Sequence, residues 1–93
     1  MKTTKVENMT SSNGNEVPNQ FILTTDKGRY FQSYSTVIAF RPYGGGKIQL
    51  DKESWDYSKT TGKYRNQFLG EDKKETQKNI DSGIYELVNL NEN

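Results

Sequence analysis

Thr36-Val37-Ile38-Ala39-Phe40 constrains the fold more than any other stretch of the chain. β-Branched and aromatic residues dominate it, and its apolar run is nearly unbroken. A strand of that kind belongs in the middle of a sheet, where neighbours cover it. The flanking segments supply those neighbours. Phe21-Ile22-Leu23-Thr24-Thr25 reads as a strand, and Asp26-Lys27-Gly28 as a turn with Gly28 where a positive φ is wanted. Arg29 to Tyr34 returns, which makes a hairpin. Pro42-Tyr43-Gly44-Gly45-Gly46 ends the central strand. Lys47-Ile48-Gln49-Leu50-Asp51 then alternates apolar with polar residues, as a half-exposed strand does. The first half is an antiparallel meander.

The second half changes period. Tyr57, Thr61, Tyr64 and Phe68 recur at the spacing of one helix face. Ser58 is placed to cap that helix and Gly70 to stop it in a left-handed conformation. Thr60-Thr61-Gly62 are poor helix formers, so the helix starts either after Ser58 or only at Gly62. A second short helix spans about Glu71 to Ser82. Asp72 and Glu75 imitate a capping box at its start, and Gly83 ends it. Ile84 to Leu90 reads as a last strand. The expected fold is α+β: a small antiparallel sheet, order ββββααβ, with two short helices on one face.

Residues 1–18 are polar and aperiodic, which predicts a disordered N-terminal tail ahead of one α+β domain at 19–93. Only 30% of the residues are hydrophobic, so the core must be thin. The aromatics, 12% of the chain, have to build most of it, with Phe31, Phe40, Trp55 and Phe68 as its default members. No apolar run is long enough for a membrane-spanning helix, and no signal-like segment follows Met1-Lys2; the expectation is a soluble, intracellular protein without membrane contact.

Several chemistries are excluded. With no cysteine and no histidine there is no disulfide framework, no thiolate, and no Ser-His-Asp or Cys-His system within the chain. Gly44-Gly45-Gly46-Lys47 is not a phosphate loop, because Ile48 follows the lysine and a strand follows in place of a helix. Asp51, Glu53, Glu71 and Asp72 sit beside lysines in polar runs, the pattern of a solvated face rather than of a metal or acid-base site. The expectation is a protein without cofactor, metal or catalytic activity.

What remains is a basic and aromatic window. From Tyr57 to Gly70 the chain carries Lys59, Lys63 and Arg65 and no acid, although its net charge is only +1. Tyrosines interleaved with cations suit stacking on bases while the cations hold phosphates. Tyrosines that merely edge a thin core, with lysines for solubility, give the same pattern. The candidate contact surface is Lys59, Lys63, Tyr64 and Arg65, flanked by Arg41 and Lys47 from the meander.

Two blocks, Ser33-Tyr34-Ser35-Thr36-Val37-Ile38-Ala39-Phe40 and, beyond Trp55, Thr60-Thr61-Gly62-Lys63-Tyr64, follow the pattern Ser-Tyr-x-Thr-x-Val/Ile-Ala-Phe, then Trp, then Thr-Thr-Gly-Lys-His/Tyr. That pattern resembles a family of small uncharacterised proteins encoded by bacteriophages and prophages. The resemblance implies a phage accessory protein acting in the cytoplasm of a bacterial host. Where the family often has histidine this chain has Tyr64, so a role for an imidazole does not carry over, whereas one for an aromatic ring with a hydrogen-bonding tip does. The blocks form either a binding site or one structural unit across the core. The functional expectation is a binding protein for nucleic acid. The alternative is an inhibitor directed at a host enzyme or defence factor through tyrosine anchors.

Overall fold

The computed structural model describes residues 3–91. Six strands lie side by side in chain order: β1 (Thr3–Thr10), β2 (Glu16–Thr25), β3 (Gly28–Ser33), β4 (Thr36–Pro42), β5 (Gln49–Asp51) and β6 (Glu86–Val88). The first five pair antiparallel, whereas β6 joins β5 in parallel. A parallel neighbour needs a crossover, and helices α1 (Lys59–Leu69) and α2 (Lys73–Asp81) supply it. The class is the expected α+β, a small sheet with both helices on one face, with one more strand than the sequence shows.

That strand is β1, and it corrects the expected tail. Residues 3–10 pair with β2 in the register Val6↔Leu23 and Asn8↔Phe21, and residues 16–18 open β2 itself. Residues 1 and 2 of the expected tail lie outside the described residues. Composition misleads here because the strand is held by its partners rather than by its own apolar content. Met9 is 5% exposed in the core, Asn8 Nδ2 donates to Val17 O at 3.0 Å, and Gln67 Nε2 of α1 donates to Thr10 O at 2.8 Å.

Phe31, Ile38, Ala39 and Leu50 are fully buried at the centre of the core. A bulge helps: Phe31 pairs with Ala39 and Gln32 with Val37, which leaves Ile38 as the extra residue of β4. Ile38 and Ala39 therefore both join the core, with Met9, Ile22, Tyr64, Leu69 and Tyr85. Three default core aromatics are corrected. Phe40 alternates away from Ala39 and stacks on Tyr30 at 4.3 Å, outside the core cluster. Trp55 and Phe68 are half-buried and pack against the core from its margin.

Gly28 is also needed for a different reason. Its φ is not positive; a Cβ there would collide with Arg41 O on the neighbouring strand. Glycine is required by close approach of β3 to β4, while the Thr25 hydroxyl forms the turn by accepting the Lys27 and Gly28 N–H groups, each at 3.1 Å. The helix signals act as read. Ser58 accepts the Thr61 N–H at 3.1 Å, so α1 starts at Lys59 despite its threonines, and Gly70 ends it at φ 74°. Asp72 caps α2 by accepting from Glu75 N at 2.9 Å. No helix among the described residues is long and apolar enough to cross a membrane.

Candidate anion-binding surface

The basic window folds into a helix whose two sides have opposite fates. Thr61, Gly62, Tyr64, Arg65 and Leu69 are buried. Lys59 and Lys63 remain exposed. Two basic residues only two positions apart are thus divided by helical geometry, since about 200° separates them around the axis.

Arg65 is the most consequential case. It is 1% exposed. Nη1 donates to Trp55 O at 2.6 Å and to Asp56 Oδ1 at 3.2 Å, and Nη2 donates to Asn66 Oδ1 at 2.9 Å. The guanidinium lies 5.1 Å from the Trp55 ring centroid, a cation-π contact. Its role is to tie the 51–58 segment to α1. Tyr64 is 7% exposed and belongs to the core. Arg65 forms part of the wall of the cleft beside the start of α1, but its guanidinium is enclosed and engaged, and Tyr64 is enclosed in the core; this corrects two of the six expected surface contacts.

Arg41 and Lys47 stand elsewhere. Arg41 Nη2 donates to Leu69 O at 3.2 Å, at the opposite end of α1, with its guanidinium 5.8 Å from the Phe68 ring. A cation there complements the helix C-terminus. Lys47 lies exposed in the loop entering β5. Neither lines the cleft beside the start of α1.

That cleft is open, and Lys59 and Lys63 line it together with Tyr57, Asp56 and Lys73. Lys73 is the residue sequence reasoning missed. It begins the next helix, and only the fold brings it back, with its ammonium 2.7 Å from Asp56 Oδ2. Tyr57 was expected on the buried helix face. It precedes the Ser58 cap, escapes the helical register, and stands 51% exposed at the cleft. The cap residue itself was the available signal, since a side chain before it need not follow the helix spacing.

The local acids are already engaged. Burial pushes the Asp56 carboxyl up, but hydrogen bonds and charge from Lys73 and Arg65 prevail and hold its pKa below the ordinary 3.8. Glu71 accepts from Thr76 Oγ1 at 2.6 Å, Asn79 Nδ2 at 3.4 Å and Tyr85 Oη at 2.6 Å. Burial, with the hydrogen bond and charge of Glu71, pushes the Tyr85 phenol up to about 12. Lys59, Lys63, Lys74 and Lys78 have no ion-pair partner among the described residues, and all four are exposed. Lys74 and Lys78 extend the lysines from Lys73 along α2, where Asp81 stands beside them and accepts from Gln77 Nε2 at 3.0 Å.

The two sequence blocks meet inside the molecule. Ser33 Oγ and Thr61 Oγ1 are 3.0 Å apart, and both residues are fully buried. Each satisfies the other across the sheet-helix interface, which makes the blocks one structural unit. Thr60 and Lys63 are the exposed residues of the second block. No group of three or more His, Cys, Asp or Glu side chains converges as a metal site among the described residues.

Residues 4–83 match a family described as a family of unknown function, DUF8033. No curated protein and no solved structure matches the chain.

Proposed function

The chain belongs to this family of unknown function, and from its geometry we propose that it is a non-catalytic binding domain for the phosphate backbone of nucleic acid. The observation that carries the reading is the convergence of Lys59, Lys63 and Lys73 with the exposed Tyr57 on one cleft. Cations at such a cleft hold phosphates through charge and counterion release, and an exposed tyrosine offers a face on which a base stacks. The start of α1 adds its positive end to the same place. Asp56 does not oppose this, because the enclosed Arg65 guanidinium balances it and leaves the charge of Lys73 in excess. The setting proposed is that of a phage accessory protein in a bacterial cytoplasm, on the strength of the two sequence blocks.

Fluorescence anisotropy with short single-stranded and duplex oligonucleotides tests the reading. Binding should weaken steeply between two salt concentrations. Lys59→Ala with Lys63→Ala should flatten the slope of log K against log salt by about one unit per lost phosphate contact. Tyr57→Ala should weaken single-stranded binding more than duplex binding. Absence of salt-dependent binding to either form at low ionic strength ends the nucleic-acid reading. A protein target then takes its place, with the exposed Tyr34, Tyr43 and Tyr57 as the anchors to examine.

A further inference from the structure

We propose that the free edge of strand β1 pairs antiparallel with the β1 edge of a second copy of this chain, joining the two sheets about a two-fold axis at Val6. The sheet has two edges. The far one, β6, is three residues long, whereas β1 is eight residues long and, among the described residues, offers an unpaired row of backbone groups. Such an edge is a template for another strand unless it is blunted. Proline is absent from β1, and the irregularities in its pairing fall near its two ends, between Thr3 and Lys5 and between Asn8 and Thr10. The regular part, Lys5 to Asn8, is the part left open.

The sequence of that part complements itself. In an antiparallel pair centred on Val6, Lys5 faces Glu7 of the second copy and Glu7 faces its Lys5. Within one chain Lys5 Nζ and Glu7 Oε1 are already 3.9 Å apart, and both side chains are well exposed. The two-fold would bring the two pairs together so that each charge has opposite charges as its neighbours. Val6 meets its own copy on the other side of the strand. It is 59% exposed, the largest value among the exposed large hydrophobic residues of the described chain. Its register partner Leu23 is buried at 7%, with Tyr30 and then Phe40 further along the same row. Pairing at Val6 would run this apolar row through the axis into the second copy. Opposite charges and apolar pairs directly across a strand pair favour it, and like charges there oppose it. An isologous contact of this kind closes at two copies.

Charge exchange tests the register as well as the association. Sedimentation equilibrium of the full chain should show a monomer-dimer equilibrium. Lys5→Glu alone and Glu7→Lys alone should each weaken it about tenfold, because both symmetric pairs become repulsive. The double variant Lys5→Glu/Glu7→Lys should recover it. An equimolar mixture of the two single variants should form the mixed dimer that neither forms alone. Val6→Lys, which places two ammonium groups face to face on the axis, should abolish it. These positions are exposed, so circular dichroism should show the same fold in every variant. A wild-type protein that stays monomeric at millimolar concentration overturns the proposal. So does a dimer that ignores these substitutions, or one that the double variant and the mixture fail to restore. Nucleic-acid binding at the lysine cleft is read separately and does not depend on the outcome.

Discussion

The two sides of α1 carry the same kinds of residue and use them in opposite ways. On the inner side Thr61, Tyr64 and Arg65 are enclosed; the Thr61 hydroxyl bonds to Ser33, and the Arg65 Nη atoms bond to Trp55 O, Asp56 and Asn66. On the outer side Lys59 and Lys63 are exposed and have no ion-pair partner among the described residues. A basic residue in this helix is therefore structural or available for binding according to its angle around the axis and not its charge. Arg suits the inner position because its planar guanidinium reaches several acceptors at once and is more weakly hydrated than an ammonium.

The sharpest break of that contrast is Arg65→Ala. It leaves Trp55 O and Asn66 Oδ1 without that donor and Asp56 with Lys73 alone, and should cost about 3–5 kcal/mol, enough to unfold a domain of this size. Chemical denaturation is the measurement. Arg65→Met, which keeps most of the volume, should cost less. If Arg65→Ala melts like the wild type, the guanidinium is not structural and returns to the list of surface contacts.

Thr61→Val probes the same side more gently. It keeps the shape, removes the partner of the buried Ser33 hydroxyl, and should cost about 1–3 kcal/mol by thermal denaturation. The companion change Ser33→Ala/Thr61→Val should recover part of the loss, because no buried hydroxyl is then left unpaired. Equal losses in the single and double variants would mean that the pair does not hold the two blocks together.

Acid should act through the carboxylate that holds Arg65. The folded-state pKa of Asp56 lies below the ordinary 3.8, so its stabilising effect is present above that value and is lost as pH falls through the folded pKa. Asp51 behaves alike. Burial raises its carboxyl, but the Leu90 N–H, the Ser54 and Asn91 side chains and the Glu53 N–H bring it below 3.8. Melting temperature followed from pH 5 downward should decline in the region below about 4, and Asp56→Asn should show a shallower decline. A decline of the same steepness in that variant would remove Asp56 from the account.

The smallest effect is expected outside. Lys59→Ala with Lys63→Ala should change stability by no more than about 0.5 kcal/mol while altering the salt dependence of binding, since exposed charges contribute little to folding. A large destabilisation would mean that the two sides of the helix differ less than their exposure indicates.

Local chemistry determined a good part of this protein. The run Thr36 to Phe40 made a central strand because its side chains favour a covered, pleated surface. Ser58, Gly70 and Asp72 bounded the helices because capping acts over three or four residues. Tertiary structure decided the rest. It made a strand of residues 3–10, whose hydrogen bonds and buried Met9 depend on β2 and α1 rather than on their own composition. It made the β5-β6 pair parallel, because the two helices carry the chain across before β6 returns. Of the six expected contact residues it kept Lys59 and Lys63 at the cleft, enclosed Tyr64 and Arg65, and set Arg41 and Lys47 apart. It then added Lys73 from the next helix. Residue type and spacing act over one or two turns of backbone, whereas exposure and convergence depend on which distant segments come to lie against each side.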